Sequence, residues 1–217
     1  MANKVTAAVV FAAVMAGAQG ANAPQKQHVP ERLDKVRLIH PAAADKNHIL
    51  VVNVADAIPA DTWGLVSTYA TSRLQLNVWT NSASTFDAAA YATDPTRGRM
   101  EFGQKAKICL FIVNSPTLAP FTGVPRLWCA ANVGGLSSDG PDTQTLRDRY
   151  AKTILKGLAY ACGSGATLES GCSLFYGSSS LGGMDRTGIM ISPMAYFPML
   201  EALREIGGTE MLSPAME

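Results

Sequence analysis

The chain has 217 residues, with 18 lysines and arginines against 17 aspartates and glutamates and a net charge of +1. That length builds one domain with a core of its own. A balance so near zero, with no basic tract and no acidic tail, excludes a nucleic acid or other polyanion as partner. Apolar residues make up 47% of the chain, the share of a globular protein, which excludes disorder over most of its length.

Residues 1–23 read as a secretory signal peptide. Lys4 is a short basic start, residues 5–18 are an apolar run, and Ala21-Asn22-Ala23 is an A-x-A cleavage site. Pro24 disfavours a cut there, and cuts before Gln19 or before Ala21 are the alternatives. The competing reading is a retained anchor helix, although the run is short for a membrane span. The signal implies a secreted or periplasmic protein with no stable membrane insertion once it is removed. Residues 24–47, polar and proline-bearing, form an N-terminal arm or linker, and residues 48–217 a single domain.

Within that domain, residues 48–54 (HILVVNV) are a β-branched run that reads as a buried strand. Residues 59–74 have helical spacing through Trp63, Val66, Tyr69 and Leu74, and residues 75–80 form a second strand. This β–α–β opening predicts a right-handed crossover and parallel pairing. Residues 84–93 are an alanine-rich helix stopped by Asp94-Pro95, residues 97–105 are polar, and residues 107–113 (KICLFIV) are the third strand. Residues 114–125 hold three prolines and a glycine and read as loop. Residues 126–133 (RLWCAANV) are the fourth strand, ended by Gly134-Gly135.

The best helix is residues 145–163, where Leu146, Tyr150, Ile154, Leu158 and Ala161 make an apolar stripe, with Asp142 or Thr143 as N-cap and Gly163 as stop. Residues 184–193 are irregular, and a last helix over 194–206 carries Pro198. The fold class is α/β (α+β): a mixed twisted sheet of about four strands, a long helix packed beneath it, and a small C-terminal helical part.

Motifs that carry chemistry are mostly missing. The chain has no phosphate loop, no dinucleotide fingerprint and no G-x-S-x-G elbow. His28, His40 and His48 all lie before or at the first strand and none is within a helical turn of another, so no typical catalytic zinc set forms and no cofactor is implied. In an oxidising compartment Cys109, Cys129, Cys162 and Cys172 pair by default. Of three connectivities, Cys162–Cys172 across a turn-rich loop with Cys109–Cys129 is favoured; four buried thiols are the alternative. Asp139, Asp142, Asp148, Glu169 and Asp185 cluster around the long helix as caps and solvated faces, with Asp185 and Arg186 holding their own loop.

Residues 48–190 resemble the archaemetzincins, zincin-fold metalloproteases whose active-site helix carries HExxHxxGxxHC and is followed by a Met-containing turn. Placing Lys156 at the first histidine puts Gly163 on the motif's glycine and Cys172 on a later cysteine. Cys172-Ser-Leu-Phe-Tyr176 then lies where the family has C-x-M-x-[FY], and residues 178–185 match a serine–leucine–aspartate segment after a one-residue insertion. Upstream, KICLFIVNSPTLAPFTGV and RLWCAANVGGL are similar to the family's strand, loop and edge strand.

The resemblance implies the zincin-like fold. It also puts Lys156, Tyr160 and Ala166 at the three zinc-ligand positions, Gly157 at the general-base glutamate and Leu174 at the Met-turn methionine. Thr167 stands at the first position of the second, four-cysteine zinc site, of which Cys172 remains. Three neutral imidazoles and a base are what zinc chemistry needs, so the substitutions predict no metal and a chain that is not an enzyme. It would instead bind an extended peptide or protein in a cleft lined by Lys156, Tyr160, Leu174, Asp185, Arg126 and Trp128, by strand addition at residues 126–133. A glycine inside a helix, here Gly157, costs about 1 kcal/mol relative to alanine and marks close packing. A Cys162–Cys172 disulfide would staple the helix to the turn in place of the structural zinc. Two other functions stay open: an enzyme with non-zinc chemistry using Lys156, Tyr160 and Asp185, or an envelope structural or assembly protein that contacts its partner through the arm. The sequence names neither a ligand nor an oligomeric state.

Overall fold

Six consecutive residues, Ile49–Val54, are buried at every position, and they form β1 at the middle of one half of the sheet. A strand with no polar face needs cover on both sides and a neighbour on both edges. β1 has both neighbours: β2 (Val78–Ala83) and β3 (Ile108–Val113) pair with it in parallel. The computed structural model that shows this describes residues 49–74, 78–103, 106–165, 172, 174 and 179–205. Residues 1–48, on which the expected signal peptide and arm fall together with His28, His40 and His48, lie outside the described residues, as do Ala166, Thr167 and Glu169.

The sheet has five strands in the order β2-β1-β3-β5-β4. β5 (Trp128–Asn132) runs parallel to β3, and β4 (Phe121–Val124) antiparallel to β5. The helix α1 (Ala60–Leu74) makes the crossover from β1 to β2, as parallel pairing requires. β4 is the strand that the sequence reading takes for loop. It is four residues long, half-buried, and framed by Pro120 and Pro125, which is how an edge strand looks and why its signal is weak. Gly123 within it is obligatory, since a Cβ would stand 2.2 Å from the carbonyl oxygen of Trp128.

Strand alternation divides the interior in two. Ile49, Val51, Ile108, Leu110, Ile112, Cys129 and Ala131 face α1, α4 (Thr143–Ala161) and α6 (Pro193–Glu205). Leu50, Val52, Cys109, Phe111, Trp128 and Ala130 face the other way. There α2 (Ala88–Thr93), α3 (Arg97–Glu101) and the preceding Phe86 cover them, with Phe86 stacked on Phe111 and Tyr91 edge-on to Trp128. The alternation also decides the cysteines. Leu110 is opposite Cys129 and Cys109 opposite Trp128, so the two thiols sit on opposite faces of the sheet and cannot pair. Cys162 and Cys172 both reach the α4-side core, yet all four cysteines are free and buried. The expected disulfides are therefore absent. Cys172 Sγ accepts instead from the backbone N–H groups of Leu174 (3.4 Å) and Ser192 (3.2 Å).

α4 starts at Asp142, whose carboxylate accepts the Thr145 N–H at 2.8 Å. It ends at Cys162 and Gly163, which has φ +80, with Gly163 N–H on the Tyr160 carbonyl and Ser164 N–H on that of Ala159. α3 and α5 (Leu181–Arg186) form where the sequence shows no periodic pattern. α5 is a single capped turn and a half, with Ser180 accepting the Gly183 N–H at 3.1 Å. Helices that short exist through capping and packing, so a period gives no warning of them.

Candidate functional site

α4 is buried almost all round: from Asp148 to Ala161, only Lys156 and Tyr160 are left half-exposed. A charged row at helical spacing ordinarily marks a solvated face. Here Arg149, Lys152, Lys156 and Tyr160, spaced by three and four, lie largely inside the protein.

Arg149 is 1% exposed and its guanidinium is fully engaged. It donates to both carboxylate oxygens of Asp139, at 2.6 and 2.8 Å, and to both of Asp185, at 2.9 and 2.6 Å. Nη1 also donates to the Leu136 carbonyl at 2.5 Å. The planar fork of arginine suits two carboxylates in this way. The side-chain hydrogen bond from Arg149 holds the Asp139 carboxyl below its ordinary range, and the two carboxylates raise the guanidinium further. One side chain thus ties the loop after β5, the middle of α4 and the short α5 together. Asp185 is therefore a partner of Arg149 and does not join Lys156 and Tyr160 as the sequence reading expects.

Lys152, one turn on, is 2% exposed and donates from Nζ to the Met184 carbonyl at 2.7 Å. The next turn carries Lys156. Burial brings its amine down to about 8, the charge of Lys152 pushes the same way, and Cys172 opposes. Tyr160 follows, its phenol raised by burial first and by the Cys129 thiol of β5 second. Tyr160 thus lies under the β4–β5 pair, and Arg126 N–H on the Ala161 carbonyl, at 2.6 Å, fixes the β4–β5 turn to the end of α4. Two hydroxyls near this row, Thr153 Oγ1 and Ser192 Oγ, are buried with no hydrogen-bond partner among the described residues.

The remaining expected residues divide. Leu174 is 6% exposed and belongs to the α4-side core. Arg126 is exposed in the β4–β5 turn with φ +68. Trp128 is 2% exposed on the opposite face of the sheet, among Phe86 and Tyr91, and lines no cleft with Lys156. Gly157 faces the sheet, where a Cβ would stand 2.6 Å from Leu110 Cδ1. Strand addition at residues 126–133 is also corrected: β5 is paired on both sides, and among the described residues β4 is the outer strand on that side of the sheet. Sequence reasoning missed Arg149 and Lys152. The signal was present in their spacing to Lys156, and it reads as a surface until the neighbours of α4 are known.

The donors on α4 do not fit a zinc ion. Lys156 offers a cation or a lone amine and Tyr160 a phenol whose proton is held more firmly than usual. Among the described residues no group of three histidine, cysteine, aspartate or glutamate side chains could hold a metal.

The five-stranded mixed sheet, with its antiparallel edge strand and a long buried helix beneath, is a zincin-like architecture. Comparison with solved structures gives it a narrower description: the fold is archaemetzincin-like. An archaemetzincin from Methanopyrus kandleri matches with a TM-score of 0.54 and 16% identity, over 75% of this chain and 98% of its own. A zinc-dependent peptidase from Methanocorpusculum labreanum matches with a TM-score of 0.54 and 16% identity, over 69% and 99%. An archaemetzincin from Archaeoglobus fulgidus, solved with malonate, matches with a TM-score of 0.50 and 12% identity, over 69% and 99%. No family model matches the sequence, and no curated protein matches it. The expectation that the chain is not an enzyme is overturned here, because the structures that share its fold are archaemetzincins and a zinc-dependent peptidase.

Proposed function

We propose that the chain is an enzyme of peptides or proteins, which it binds in extended form along the outer edge of β4, with Lys156 and Tyr160 of α4 beneath as the reacting groups. The observation that carries this is the place of β4. It ends the sheet with only its β5 side paired among the described residues, and an open antiparallel edge is a template for an added strand. Tyr160 and Phe121 pack against the same core, and the Arg126–Ala161 hydrogen bond keeps that edge registered on α4. Lys156 supplies an amine near 8, so both of its forms are populated close to neutrality, as a general base requires. The name of one neighbour, a zinc-dependent peptidase, supports the substrate class. No zinc enters this reading, because the residues on α4 do not fit one.

The domain of this enzyme is residues 48–217, and its place is secreted or periplasmic on the pattern of residues 1–23. The near-neutral charge supports a partner other than nucleic acid. The test is a mixed peptide library incubated with purified, chelator-treated protein and read by mass spectrometry. Cleavage that rises with pH through about 8, is lost in Lys156→Met and falls in Tyr160→Phe is expected. Cleavage unchanged in both variants, or found in neither they nor the parent, overturns the reading.

A further inference from the structure

We propose that the face of the sheet away from α4 carries an anion site: a notch beside α3 in which Arg99 and Lys107 hold a dianionic phosphate group, either the inorganic ion or a monoester. This goes beyond the peptide reading and uses none of its residues. The notch is open to solvent and holds about 180 Å3 of space, with Tyr91, Thr96, Gly98, Arg99, Lys107 and Cys109 among its walls. Tyr91 and Cys109 are core residues of that face of the sheet, so the floor is rigid.

Three observations point to an anion. Arg99 is half-buried, and its Nε is wholly buried with no hydrogen-bond partner among the described residues. A buried guanidinium N–H ordinarily has an acceptor, and leaving it without one is costly. Second, the acids of the surrounding segments are engaged elsewhere. Glu101 accepts from the Tyr91 hydroxyl at 2.6 Å and pairs with Arg97. Asp94 accepts from the N–H and hydroxyl of Thr96 at 3.0 and 2.8 Å. Among the described residues neither Arg99 nor Lys107 has an ion pair. Third, the space depends on a glycine: a Cβ on Gly98 would stand 2.5 Å from Cys109 Sγ. Two unpaired cations from separate segments match the charge of a phosphate dianion. Its several oxygens can take the arginine N–H and the lysine ammonium together, the first as a directed donor and the second as a point charge.

The experiment titrates the full chain with sodium phosphate by calorimetry, and repeats its thermal melt in phosphate and in sodium chloride of equal ionic strength. One saturable site is expected, with a melting temperature raised by phosphate and unmoved by chloride. Phosphoserine in place of phosphate tells the source: equal affinity assigns the monoester, weaker binding the inorganic ion. Arg99→Met is expected to weaken binding at least about tenfold and to cancel the phosphate shift, while melting no lower than the parent in chloride, since it removes an unsatisfied group. Lys107→Met is expected to weaken binding by about threefold to tenfold. A parent that shows no saturable binding overturns the proposal, and so does an Arg99→Met protein with the parent's affinity. Should Arg99→Met not fold, Lys107→Met decides, and the parent's affinity in that variant overturns it.

Discussion

A Cβ on Gly157 would stand 2.6 Å from Cδ1 of Leu110 and 3.1 Å from Cβ of Ala131. α4 crosses the centre of the sheet at this point, and the absence of a side chain sets how closely it approaches β3 and β5. Alanine would gain helix propensity of about 1 kcal/mol and lose more by overpacking, about 1–3 kcal/mol. Gly157→Ala is therefore expected to lower stability in a urea melt. Gly157→Glu, which restores the glutamate of the resembled motif, is expected to prevent folding, because a carboxylate there would enter the sheet-facing core. A Gly157→Ala protein more stable than the parent would show that the helix has room to move.

Arg149 joins three segments: the loop with Asp139, the middle of α4, and α5 with Asp185. Breaking a buried pair from one side leaves uncompensated groups. Both carboxylates reach solvent, with side-chain exposures of 49% and 33%, so the cost falls at the low end, about 3 kcal/mol for Arg149→Met. Guanidinium melts of Arg149→Met and Asp185→Asn test this, and the double variant should lose less than the sum of the two singles. Additive losses would mean that the two residues act independently.

Much of this fold was legible because its strongest elements obey local rules. The runs over β1 and β3 are apolar at every position, α4 has a cap, a period and a stop, and each lies within two residues of its expected place. β4 was not legible, since four residues between prolines carry turn chemistry and become a strand only because β5 offers an edge. The Cys109–Cys129 pairing failed on register, which decides the face each strand residue takes and is set between strands. The site was half legible. Gly157 showed its packing role through its cost. Arg149 and Lys152 were hidden because a charged helical row means solvent unless something covers it, and what covers it is α5, which the sequence does not announce.

Lys156 gives a pH signature of known sign. Its folded value is about 8 against an ordinary 10.5, so between those values the unfolded chain binds more protons, and stability rises with pH. Below about 8 the amine is charged in both states and its burial penalty is present in full. Lys156→Met removes the penalty. The variant is expected to be the more stable protein at neutral pH, with the advantage shrinking between pH 8 and 10.5. Paired thermal melts across that range measure the difference directly. A difference that does not change with pH would place the Lys156 amine in water.

The thiols act in the opposite sense. Burial pushes Cys109 and Cys162 up to about 12, from an ordinary value of 9.0, and raises Cys129 as well. Below the ordinary value these groups are protonated in both states and contribute no pH dependence. As pH rises past it, the unfolded chain ionises and the folded one does not, so stability is lost toward about 12. All four cysteines are free and buried. A thiol reagent at neutral pH is therefore expected to find almost none in the native protein and four after denaturation without a reductant. Two or none on denaturation would mean that disulfides form after all. With four, alkaline destabilisation follows from the same burial, and Cys109→Ala should weaken it, because the sheet face shared with Tyr91 and Trp128 would then hold one ionisable thiol fewer.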